Sequence, residues 1–246
     1  MNLAKRLVLV VAVLLAAAAS PARAVWLSVG GGWNSYAMRD VNADIDAVAD
    51  AIAPLTLKEI SGGADLEVAA GAPVARWLDA GASFERLWAS ATPNKGDGSE
   101  YRLPAEVFKA TLYHTFPTSS ADVLGVAASL GLVRCTGGAR IVSVDIATAG
   151  GQGSVSGTGP FAEADFTGDW RISGPFSVAA TLGYRYARIG RVEVGGDTAY
   201  RSDGRNYTVD YSGISVRVAL KVQLGGKRRI PEPTPARVES TAPGGG

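Results

Sequence analysis

FSVAATLGYRY (176–186) and ISVRVALKVQL (214–224) are the stretches whose reading decides the fold of this chain. In the first, Phe176, Val178, Ala180, Leu182, Tyr184 and Tyr186 share one parity, against Ser177, Ala179, Thr181, Gly183, Arg185 and Ala187. In the second, Ile214, Val216, Val218, Leu220, Val222 and Leu224 alternate with Gly213, Ser215, Arg217, Ala219, Lys221 and Gln223. A period of two means strand, with one parity on each face. One face is apolar; the other is small, polar or cationic. A soluble sandwich or barrel turns the apolar face inward, and a membrane barrel turns it outward to lipid.

Composition narrows the choice. The 246 residues are 47% hydrophobic and 19% charged, with 31 glycines and a formal net charge of +1. That excludes a disordered chain and gives no reason to propose nucleic acid. Residues 1–24 read as a secretory signal: Lys5 and Arg6 open it, Leu7 to Ala19 is apolar but too short to span, and Ala22-Arg23-Ala24 is a small-x-small cleavage site. The mature chain is then expected to begin at Val25. No later segment has the length and apolarity of a spanning helix. An exported chain this apolar can hide its surface as strands closed into a barrel in lipid. Cys135 is the single cysteine, so no internal disulfide is possible; it reads as a small residue near a strand end.

Further alternating segments fill the chain: Val25 to Tyr36, Ala64 to Ala72, Leu78 to Trp88, Leu103 to Phe116, Val123 to Arg134 and Pro160 to Arg171. With the two opening stretches they make about eight strands, each with room for the roughly nine to eleven residues that a tilted spanning strand needs. Short turns at 73–76, 117–120 and 173–175 alternate with longer loops, among them 91–101, 137–157 and 195–206. Short turns on one side and long loops on the other are a barrel signature, and both termini then share the short-turn side.

Asp40 to Ala53 breaks the strand pattern. Val41, Ile45, Val48 and Ile52 recur at helical spacing, Asn42 can cap the start and Pro54 ends it. Such a helix can plug the barrel mouth, lie over the rim, or cover the loop's own apolar residues. Asp40 to Asp46 superficially suggests a calcium loop, but it lacks the turn glycine and has Ala51 where the bidentate Glu belongs. No metal or other cofactor is expected.

The fold expected is all-β: an eight-stranded antiparallel up-and-down transmembrane β-barrel with a short helix in the first long loop. It spans 25–224, followed by a disordered Pro/Gly-rich tail at 225–246 that holds Lys227-Arg228-Arg229. Trp26, Trp33, Trp88, Phe116, Trp170 and Tyr186 are the candidate interfacial aromatics. The polar parity collects Glu67, Asp79, Glu85, Lys109, Glu163, Asp165, Asp169, Arg185, Arg217 and Lys221 as a candidate lumen charge network. Small residues mixed among them suit a narrow, side-chain-filled interior.

Gly183-Tyr184-Arg185-Tyr186, then Asp210-Tyr211-Ser212-Gly213 with Arg217 and Lys221, resembles the small outer-membrane β-barrel proteins of Gram-negative bacteria, of the OmpA-like and OmpW-like porin families. The resemblance covers about Val25 to Leu224. It implies export to the cell outer membrane, contact with outer-membrane lipid, insertion by the barrel assembly machinery, and long loops open to a surface ligand. Such families usually end on a terminal aromatic that the machinery reads, whereas this chain has Leu224 and then a tail.

Little catalytic chemistry is available. His114 is the single histidine and falls on the apolar parity beside Phe116. No Gly-x-Ser-x-Gly elbow or His-Glu-x-x-His pair is present, and Gly30-Gly31-Gly32 lies inside a strand where a phosphate loop would be out of context. The chain reads as a non-enzyme. Three roles remain: a structural or surface-interaction barrel with a salt-bridged core, a narrow porin-like channel, and a soluble periplasmic lipocalin-like binder. In the first, Arg217→Ala should open the core to ions.

Overall fold

The computed structural model describes residues 25–51, 58–91, 100–118, 122–140, 152–201 and 203–225. The signal read at 1–24, and the tail read at 225–246 apart from Gly225, lie outside these residues. Eight long strands form: β1 (Val25–Ser35), β2 (Gly62–Ala75), β3 (Leu78–Leu87), β4 (Ala105–Pro117), β5 (Asp122–Arg140), β6 (Gln152–Ser173), β7 (Phe176–Ile189) and β8 (Gly213–Leu224). Each pairs antiparallel with its neighbours in sequence. Pairing of β8 with β1, from Val25↔Leu224 to Asn34↔Ser215, closes the ring.

Closure keeps one parity inside all the way round. Trp26 faces Gly71, then Gly81, Thr111, Ser129, Glu163, Arg185 and Gly213 in turn. Continuing the β8–β1 register puts Gly213 opposite Tyr36, so one circuit climbs from 26 to 36, a shear of ten residues. For eight strands that shear tilts the strands by about 43° and leaves a bore that side chains can just fill.

The outward parity is apolar. Val29, Leu112, Leu130, Phe166, Leu182, Val218 and many like them stand exposed. Trp33, Trp88 and Tyr186 face outward toward the loop end, and Phe116 and Trp170 toward the turn end. On β7 the exposed aromatics Phe176 and Tyr186 are ten residues apart. At the tilt above that is roughly 24 Å along the axis, the height of the apolar band of a membrane barrel. His114 also lies on this face, edge-on to Phe116 at 4.7 Å. No helix among the described residues is long and apolar enough to cross a membrane.

Trp26 departs from the expectation. It is 4% exposed, inside the barrel, with its ring over Gly71 and Gly81 and edge-to-face with Tyr113 at 5.4 Å. It belongs to the parity of Ser28 and Gly30, and parity overrides an aromatic's preference for the interface.

The stretch 137–157, expected to be loop, is partly strand. β5 and β6 stay paired to Arg140↔Gln152. This ribbon rises beyond the apolar band, where both faces meet polar surroundings, so the apolar alternation fades while pairing persists. Val192–Val194 and Glu100–Arg102 add to its two edges.

Gly30 and Gly32 thin the β1 wall next to β8. A Cβ on Gly32 would run into the Val216 carbonyl oxygen and come within 2.7 Å of Arg217 Cγ; one on Gly30 would sit 2.5 Å from Ala219 Cβ. The missing side chains let the Arg217 stem lie across this wall. Gly32→Ala should cost about 1–3 kcal/mol by overpacking, seen as a lower urea midpoint of the barrel in detergent.

Candidate functional site: the charged lumen

The sequence places a cation or a carboxylate at inward positions of six strands, and the register brings seven of them to one level. Arg185 (β7) donates through Nη2 to Glu85 (β3) at 2.6 Å and Glu163 (β6) at 3.1 Å. Lys109 (β4) Nζ reaches Glu163 at 2.7 Å, Glu85 at 3.2 Å and Glu67 (β2) at 3.3 Å. Arg217 (β8) meets Glu163 at 3.0 Å, Glu85 at 3.2 Å, Asp165 at 3.4 Å and Glu67 at 3.5 Å. Ser215 Oγ donates to Glu163 at 3.0 Å. Four carboxylates thus surround three cations.

Strands β3 and β7 are four apart in a ring of eight, so they face each other across the bore. The Arg185–Glu85 bond spans the full diameter. Both side chains are almost completely buried, at 1% and 0% exposure. Arg185 and Lys109 also lie over the Phe161 ring, at 5.3 and 5.4 Å. In so dry a setting each charge is tolerable only because opposite charges lie within hydrogen-bond reach.

The other expected lumen residues are inside but at other levels. Lys221 Nζ pairs with Asp169 at 2.7 Å nearer the turn end, 4.8 Å above the Trp26 ring. Asp79 is buried on β3 opposite Tyr113. These line a cavity of about 90 Å³ on the turn side of the network, together with Trp26 and Thr181.

On the loop side the lumen is apolar. Helix α1 (Arg39–Ala51) turns Val41 and Ile45 into the mouth, where with Met38 they join Leu87, Val107, Val133, Phe161 and Ile189 of the wall in one buried cluster. Of the three placements open to the helix, it takes the plug. Its start is held by Asp40, whose carboxylate accepts hydrogen bonds from Thr208 N (3.0 Å), Thr208 Oγ1 (2.7 Å) and Arg201 Nη1 (2.5 Å). Asn42, expected as the cap, instead clamps the returning chain. Its Oδ1 accepts from Ile60 N at 2.8 Å and its Nδ2 donates to Ile60 O at 3.3 Å. The helix begins at Arg39, so Asn42 already lies inside its first turns.

Two contributors were not legible as such. Tyr211, fully buried, donates its hydroxyl to Leu103 O at 2.8 Å and lies 3.1 Å from Cys135 Sγ. Cys135 is itself fully buried, which suits an inert core residue. Asp65, also on the polar parity, is buried beside Asn34, which donates to it at 2.8 Å. A Tyr-Ser pair entering a last strand is the one signal that could have pointed to Tyr211.

Against known proteins, no family model and no curated sequence matches the chain. Solved structures do. The Neisserial surface protein A is 13% identical, over 82% of this chain and 97% of its own, with a TM-score of 0.44. Ail, the attachment invasion locus protein of Yersinia pestis, is 10% identical over 81% and 98%, TM-score 0.43. The outer membrane protein OprG from Pseudomonas aeruginosa is 10% identical over 83% and 96%, TM-score 0.43.

The fold is that of a small transmembrane β-barrel. The strand pairing, the closed ring, the apolar exterior and the charged interior establish it within this chain. At its middle the bore holds charged side chains rather than an apolar lining.

Proposed function

We propose that this chain is an outer-membrane barrel of a Gram-negative envelope, closed to solutes, whose work is done at its loop end. The observation that carries this reading is the Arg185–Glu85 bond across the whole bore, stacked beneath an apolar plug. Two closures in series, one ionic and one apolar, favour a structural or surface-interaction role over a narrow porin-like channel. The apolar band and the signal-like start support the location, with the loops facing outward and both chain ends periplasmic. Partners on this reading are outer-membrane lipid along the band, the barrel assembly machinery, and a ligand met by the loops.

Catalysis is no part of the proposal. Glu85 and Glu163 are engaged with cations, and His114 stands on the outward face rather than in a cleft.

The test is conductance of the refolded 25–246 chain in a planar bilayer. No steady openings are expected. Steady openings with an ion preference would establish the channel reading instead. A chain that stays soluble without detergent and does not insert would favour a periplasmic binder.

A further inference from the structure

Above the plug lies a second cavity, of about 250 Å³, between α1, the 100–103 segment and the connection from β7 to β8. Its floor is Val41, Leu103 and Val209, all fully or almost fully buried. Its walls carry three phenol rings. Tyr101 is deep, at 7% exposure, Tyr207 is partly buried, and Tyr200 stands at the rim, 63% exposed. Among the described residues that line it, Asp44 alone is charged, and its carboxylate acts on the Tyr207 phenol.

The chemistry of this lining is one-sided. Aromatic faces are electron-rich and attract cations, more strongly where water is excluded. Burial and the Asp44 charge push the Tyr207 and Tyr101 phenols upward, so both stay neutral and protonated. The cavity therefore presents apolar floor, neutral rings and one fixed negative charge. An anion would meet Asp44 with no compensating cation among the described residues that line the cavity. A neutral apolar molecule would gain nothing from Asp44.

We propose that this cavity binds a small organic cation with an apolar body, of the quaternary ammonium class. The floor takes the apolar body, the rings face the cationic head and Asp44 supplies the counter-charge. The site needs the loop end to meet solution; it does not depend on whether the lumen conducts.

The probe is benzyltrimethylammonium, titrated calorimetrically into the refolded chain in a maltoside detergent, which carries no quaternary ammonium of its own. Benzyl alcohol and benzenesulfonate serve as neutral and anionic comparisons. Saturable binding of the cation is expected, with both comparisons at least tenfold weaker. Asp44→Asn and Tyr200→Ala each change an exposed side chain and leave the barrel core untouched. Each should weaken the cation about tenfold while the gel shift between heated and unheated barrel stays the same. Absence of saturable cation binding would overturn the proposal. So would equal binding of benzyl alcohol, or full retention of cation affinity in Asp44→Asn.

Discussion

Arg185→Ala is expected to lower the stability of the barrel by about 3–5 kcal/mol. The loss comes from what stays behind. Glu85 and Glu163 are 0% exposed and would each lose the guanidinium that now donates to them at 2.6 and 3.1 Å. Lys109 and Arg217 would then serve four carboxylates between them. An uncompensated buried charge costs far more than the net worth of a pair. Arg185→Lys keeps the positive charge that now serves both carboxylates through Nη2 alone, so its loss should be smaller. The double variant Arg185→Leu with Glu85→Leu removes both partners and should recover much of the loss. Urea unfolding in lipid vesicles reads all three. Equal stability of Arg185→Ala and the parent chain would mean that the cross-bore bond contributes nothing.

Ile45→Asp has the second large effect, and it is local. Ile45 is completely buried among Met38, Val41 and wall residues of the mouth. A carboxylate there has no described cation in its cluster, and burying it unpaired costs several kcal/mol. Undocking the helix is the less costly response. At about 1.4 kcal/mol per factor of ten, trypsin cleavage at Arg39 or Lys58 should rise by about two orders of magnitude, with the strands still protected. An unchanged cleavage rate would mean that α1 is not held by its apolar face.

The two variants together test whether the closures act in series. Arg217→Ala alone, expected from the sequence to open the core, leaves both the Arg185–Glu85 bond and the apolar plug in place. Either closure by itself should keep the bore silent, so openings are expected only when Arg185→Ala and Ile45→Asp are combined.

Most of the barrel was legible because a strand buried on one side writes its two faces into alternate residues. Phe176 to Tyr186 and Ile214 to Leu224 show this over their whole length. Legibility ended where that asymmetry ended. Gly137 to Gly157 looked like loop, since a ribbon above the apolar band has no face that must be apolar. Trp26 lies inside because its parity, shared with Ser28 and Gly30, outweighs an aromatic's preference for the interface. Asp79, Glu85, Lys109, Glu163, Asp165, Arg185 and Arg217 are buried, on the parity opposite to the exposed apolar residues of their strands.

By itself, then, the sequence determined the strands, their two faces, the helix between the first two strands, and which charges share the interior. These are local properties, readable from the spacing of apolar residues within one segment. The tertiary structure alone decided who meets whom. A shear of ten residues sets the height of every inward residue against strands far away in the chain. It is this that puts Arg185 opposite Glu85, a hundred residues earlier, and separates Lys221 and Asp169 from the main network, while apolar packing against the wall brings Val41 and Ile45 down into the mouth.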